Sequence, residues 1–112
     1  MKFSYEGIGA LVVTFPSGNA SEGHVCTINQ QGRADGCIAN KDFCGVVLAD
    51  ENGMAAVQLE GFVTVGYSGT KPTLGYVALV ADGNGRVKLD ESGKEYLVAA
   101  VNAAEMKAVI KL

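Results

Sequence analysis

The sequence predicts an all-β fold, a small single-domain β-barrel or sandwich of about eight to ten short, mostly antiparallel strands. Three observations carry that prediction. Short runs of β-branched and aromatic residues recur along the chain; no stretch holds the i, i+3, i+4, i+7 apolar spacing of a helix for three turns; and 15 glycines, against 2 prolines, fall between the apolar runs rather than in one linker. With 112 residues, 48% of them hydrophobic, there is enough material for one core without metals or staples, so residues 1–112 are read as a single β-domain. No duplicated unit, low-complexity tract or interdomain linker stands out.

Strands are expected near residues 8–15, 24–29, 35–39, 43–49, 54–59, 61–67, 75–81, 85–90, 95–102 and 106–112. The first, Ile8 to Phe15, is too short to span a bilayer, follows Glu6 and lacks a small-residue cleavage pattern, so it reads as a strand rather than a leader. Ser17 to Gly23 and Gly66 to Thr73 are the two most loop-like stretches, Pro72 barring a central ladder position in the second. Exposed loops on a rigid sheet commonly carry contacts, so Tyr67, Ser68, Lys71, Pro72 and the neighbouring Tyr76 are the candidate partner-contact residues.

Tyr76 to Ala81 and Tyr96 to Val101 are apolar on both faces, as expected of strands covered on each side or facing a partner. Between them, Asp82-Gly83-Asn84-Gly85 is a hairpin turn with residues suited to positive φ, placing Val87 and Leu89 inward and Arg86, Lys88 and Asp90 outward. In the last strand Met106, Ala108, Ile110 and Leu112 fall on one face and Lys107 and Lys111 on the other, with Val109 between them.

Net charge −3, with basic residues spread along the chain, offers neither a nucleic-acid footprint nor a polybasic patch for an anionic membrane. Three cysteines, an odd number without framework spacing, point to a reduced, intracellular setting.

The search for chemistry yields no catalytic residue and no cofactor, and the chain is read as not an enzyme. His24, Cys26, Cys37 and Cys44 are the candidate metal ligands, but Cys26, Cys37 and Cys44 are separated by ten and six residues rather than paired on knuckle turns, so no metal is expected. His24 and Cys26, two apart on one strand face, are poorly aimed as base and nucleophile and lack a third orienting group. Ser68 lacks the G-x-S-x-G frame, and the 82–85 turn completes neither a phosphate loop nor an EF-hand. The Asp50-Glu51 and Asp90-Glu91 pairs sit at turns, and Lys107 lies within a strand rather than at a biotinyl-type hairpin tip.

From Val57 onward the order of elements resembles small prophage-encoded capsid decoration or capsid fibre proteins. The matching pieces are Val57-Gln58-Leu59-Glu60-Gly61-Phe62-Val63, Pro72-Thr73-Leu74-Gly75-Tyr76-Val77-Ala78-Leu79-Val80, Asp82-Gly83-Asn84-Gly85-Arg86-Val87, Tyr96-Leu97-Val98-Ala99-Ala100-Val101 and Val109-Ile110-Lys111-Leu112, about half of the chain. The resemblance implies a β-barrel that self-associates, as a trimer, and adds binding energy to a capsid shell protein through many simultaneous contacts. Such a chain would lie in the cytoplasm, or in the virion if phage-derived. Two other readings stand beside it: a small bacterial module binding a peptide or carbohydrate around Tyr67 and Tyr76, and a Cys/His metal-binding protein.

Overall fold

Alternation of apolar and polar residues, broken by turn residues, yields ten strands and no helix in the computed structural model, which describes residues 9–112. The strands are β1 (Leu11–Pro16), β2 (Val25–Ile28), β3 (Ala34–Gly36), β4 (Gly45–Glu51), β5 (Met54–Glu60), β6 (Phe62–Gly66), β7 (Gly75–Ala81), β8 (Val87–Leu89), β9 (Lys94–Asn102) and β10 (Lys107–Lys111). Each expected strand has its counterpart; Ile8, the expected start of the first, lies outside the described residues. All ladder pairings are antiparallel, in two five-stranded sheets ordered β1-β5-β4-β2-β3 and β6-β10-β9-β7-β8. Neither sheet closes into a barrel, so the architecture is the sandwich of the two expected.

The two sheets are the same fold built twice. Taken in chain order, the five strands of each half occupy the same places in its sheet. One isolated parallel bridge draws the edges of each sheet together, Ser17 to Ala34 in the first and Tyr67 to Val87 in the second. The register irregularity recurs as well: Val47 and Ala49 pair with Val57 and Ala56, as Val98 and Ala100 pair with Ile110 and Val109. The amide of Ser17 donates to the Gly53 carbonyl at 2.9 Å, and that of Tyr67 to the Met106 carbonyl at 3.0 Å. A duplicated unit is therefore present where the sequence shows none by eye.

The duplication extends to the core. Cys26, Ala34, Val47, Ala55 and Val57 of the first sheet are buried at the register positions that Leu79, Val87, Val98, Ala108 and Ile110 hold in the second. At three of the five places the first half carries the smaller side chain. Its cluster is accordingly the lesser one, completed by Ala20 with Phe15, Ile28 and Leu59 packed on it. Val25 and Val46, adjacent in sequence to Cys26 and Val47 and on the opposite strand face, instead join the larger cluster with Phe43 and Cys37. This is how the halves are joined: β2 and β4 are covered on both faces, and the chain between β3 and β4 packs onto the second half.

The crossover between sheets is held by Gln58, the buried polar side chain of β5, whose Nε2 donates to the Glu60 carbonyl at 2.9 Å and the Phe62 carbonyl at 2.8 Å. Two inward assignments differ from expectation. Met106 adopts φ 53° in the β9–β10 turn and is exposed, because that turn takes one residue more than the alternation predicted. Leu89 ends the three-residue edge strand β8, where no neighbouring strand covers it, and is also exposed.

Candidate functional site

The outer face of the second sheet is one of the surfaces that the described residues leave incompletely covered. Register places Tyr76 opposite Leu97, Leu97 opposite Lys111 and Lys111 opposite Phe62, so these side chains form one row across β7, β9, β10 and β6. The neighbouring outer row is Ala100, Val109 and Thr64. Tyr76 is 74% exposed, and Leu74, just across Gly75, is 66% exposed. A monomer gains nothing from presenting two large apolar side chains to water next to half-buried Leu97, Ala99 and Ala100.

Two hollows flank this pair. One, of about 460 Å³, is lined by Tyr76 and Leu97 with Phe43, Cys44, Lys94 and Lys111, and so combines side chains from both halves. The other, of about 580 Å³, runs along Lys71, Pro72, Thr73 and Leu74 to Ala99, Ala100 and Val101. Below the first, the rings of Phe43 and Tyr96 stack with centroids 4.9 Å apart and planes 12° from parallel, tying the β3–β4 connection to β9.

Of the contact residues expected from sequence, the structure leaves Lys71 and Tyr76 on the surface. Tyr67 is only 3% exposed and belongs to the larger core, because the in-out alternation of Val63 and Val65 continues through it. Pro72 is fully buried, and the Ser68 hydroxyl is committed to the Asp82 carboxylate at 2.8 Å. The tyrosine-lined pocket expected of a peptide or carbohydrate module is therefore not formed. Leu74, Leu97, Ala99 and Lys94 were not singled out by sequence; the signal that pointed toward them was the two-faced apolarity of β7 and β9.

The expected metal candidates do not converge on one site among the described residues. Cys26 is sealed in the smaller core, Cys37 is buried in the larger, and Cys44 is exposed at the mouth of the first hollow. The His24 ring lies against the α-carbon of Gly85, on the surface that Cys37 also borders. Among the described residues no three His, Cys, Asp or Glu side chains are grouped to hold a metal ion. Nor is any described helix long and apolar enough to cross a membrane.

The thiols nonetheless influence one another. A hydrogen bond from the Cys26 thiol is the largest factor bringing Cys44 down to about 7, helped by the Ile28 amide and the Lys94 ammonium and opposed by partial burial. The same contact, with burial, pushes Cys26 far above the ordinary thiol range. Burial, foremost, with the charges of Cys44 and Asp42, pushes Cys37 up to about 11.

No known protein family, curated protein or solved structure matches this chain.

Proposed function

We propose that this chain is a structural, non-catalytic module that associates with further copies of itself through the outer face of the second sheet, in the manner of a capsid decoration protein. The observation that carries the reading is the exposed pair Leu74 and Tyr76 beside the low floor of Leu97, Ala99 and Ala100. Covering each large side chain contributes about 1.5–3 kcal/mol. Two or three copies multiply that gain, as a module built on many weak contacts requires. A second copy suits the face better than a strongly charged partner, since Lys94 and Lys111 at one hollow stand beside Glu95, and Lys107 stands beside Glu105 at the other end. A trimer on a preassembled phage-type shell is the assembly that the resemblance of the C-terminal half implies.

Sedimentation velocity over a wide concentration range tests the self-association. Concentration-dependent growth beyond the monomer is expected, and Leu74→Ser with Tyr76→Ser is expected to abolish it while leaving the far-ultraviolet spectrum unchanged. A chain that stays monomeric at every concentration, and that does not co-sediment with assembled shells, overturns the reading.

A further inference from the structure

The cysteines lie outside anything a purely adhesive module needs, and two of them are placed against each other. Cys26 on β2 is the register partner of Gly45, yet its carbonyl also accepts the amide of Cys44 at 2.9 Å. One residue of β2 thus faces two consecutive residues of the neighbouring chain, a bulge-like arrangement that turns the Cys44 side chain toward that of Cys26. The Cys26 thiol, the Ile28 amide and the Lys94 ammonium all act to hold Cys44 below the ordinary thiol range, and Lys94 lines the same hollow as Cys44. Their surroundings are opposite: Cys26 is fully enclosed, whereas Cys44 opens to solvent at the first hollow. An exposed sulfur ringed by donors, backed by a buried thiol, is the arrangement of an attacking cysteine with its resolving partner.

We propose that Cys44 and Cys26 form a peroxide-reactive pair, Cys44 reacting first and Cys26 closing an intramolecular disulfide. The Cys44 thiolate attacks one oxygen of hydrogen peroxide; the O–O bond breaks, Cys44 becomes a sulfenic acid, and the departing hydroxide takes a proton to leave as water. Cys26 then gives up its proton and attacks the Cys44 sulfur. The S–S bond forms, the S–O bond breaks, and a second water departs. Two thiols are oxidised by two electrons and one peroxide is reduced to two waters. Cys37, buried and without a sulfur hydrogen bond to either, is a bystander whose thiol points to the Asp42 carbonyl at 3.7 Å. This inference does not depend on the self-association reading, since it concerns one chain alone.

The test uses the reduced full chain, exposed to hydrogen peroxide, quenched by alkylation and mapped by mass spectrometry. A Cys26–Cys44 crosslink with loss of two hydrogens, reversed by dithiothreitol, is expected. In Cys26→Ala the reaction should stop at a Cys44 sulfenic acid trapped by dimedone, and in Cys44→Ser neither remaining thiol should be modified at the same exposure. Because Cys26 is a core residue, a second measurement avoids substitution: alkylation of Cys44 by iodoacetamide in the unaltered chain should be half-maximal near pH 7. At that pH it should run roughly tenfold faster than an ordinary thiol, whose midpoint is about 8.5. Oxidation that stops at Cys44 with Cys26 intact, crosslinks between chains instead of within one, or a Cys44 no more reactive than an ordinary thiol would each overturn the proposal.

Discussion

Asn29 and Asp82 do the same work at equivalent places in the two halves. The Oδ1 of Asn29 accepts the amides of Gln31 and Arg33 at 2.9 and 3.0 Å, and the Oδ1 of Asp82 accepts those of Asn84 and Arg86 at 2.7 and 3.1 Å. Each turn is closed by the residue's own amide, on the carbonyl of Arg33 or Arg86. Their remaining side-chain atoms have opposite chemistry: the Asn29 amide donates to Asp35 at 2.9 Å, whereas the second Asp82 oxygen accepts the Ser68 hydroxyl.

Only one of the two turns can therefore feel pH through its capping residue. Partial burial raises Asp82, but the Asn84 amide, the Ser68 hydroxyl, the Arg86 amide and the Arg86 charge together hold it below the ordinary carboxylate range. A carboxyl lowered on folding stabilises above its unfolded value and loses that contribution as pH falls through the folded one. Asp82→Ala is expected to cost about 1–2 kcal/mol at neutral pH. The gap between wild type and Asp82→Asn should shrink below about pH 4 in urea unfolding. Asn29→Ala should show an acid dependence through Asp35 instead, since the Asn29 amide is foremost in holding that carboxyl below the ordinary range, and an Asp82→Asn gap constant down to acid would deny the Asp82 carboxylate its role.

Gly32 and Gly85 occupy matching turn positions with φ of 80° and 86°, but their surroundings differ. A methyl group at Gly32 meets open space, whereas at Gly85 it would fall inside the His24 ring. Gly32→Ala should cost the left-handed strain alone, about 1–2 kcal/mol. Gly85→Ala should cost a further amount of about 1–3 kcal/mol for the overpacking. Adding His24→Ala to Gly85→Ala should remove the excess and leave the strain, as a double-mutant cycle in chemical denaturation would record. Equal costs for the two single variants would mean that the imidazole yields freely.

The pattern of strands was legible because period-two alternation and turn residues are local signals, and residues 54–59 and 75–81 illustrate how closely they locate a strand. Tyr67 shows the opposite weighting: its glycine-rich neighbours suggested a loop, yet the Val63, Val65, Tyr67 alternation already placed it inward. The duplication escaped because several equivalent residues share burial rather than identity or size, Cys26 matching Leu79 and Ala34 matching Val87, and because the spacing between equivalents, 53 residues for these two pairs, falls to 51 for Val47 and Val98. The uncovered face was legible only as the two-faced apolarity of residues 76–81 and 96–101, and the Cys26–Cys44 contact was not legible at all. Both depend on which strands become neighbours, and β2 meets β4 rather than only the strand that follows it.

Gln58 should be among the costlier polar residues to remove. It is buried, and both of its amide hydrogens are used on the carbonyls of Glu60 and Phe62, across the point where the chain passes from the first sheet to the second. Gln58→Leu keeps the volume but forfeits both bonds, and a loss of about 2–3 kcal/mol is expected by thermal or urea unfolding. Gln58→Glu should be at least as damaging at neutral pH, because a carboxylate at that place turns an acceptor toward two carbonyl oxygens. A neutral Gln58→Leu would show that the crossover holds its course without the side chain.

Tyr96 gives the fold an alkaline limit of its own. Burial foremost, then the charges of Asp42, Cys37 and Cys44, pushes its phenol up to about 12. The unfolded tyrosine ionises near 10. Above that pH the unfolded chain has released a proton that the folded chain still holds, so stability must fall as pH rises. The contribution is complete below about 10 and lost through about 12, with a slope below about 1.4 kcal/mol per pH unit since the ring edge borders the hollow. Tyr96→Phe keeps the stack on Phe43 and gives up only the long contact from the hydroxyl to the Phe43 carbonyl at 3.5 Å. Urea midpoints of wild type and Tyr96→Phe should thus lie close together at neutral pH and separate in favour of the phenylalanine above about pH 10, where the phenolate begins to form in the unfolded chain. Parallel curves across that range would mean that the phenol reaches water freely in the folded state.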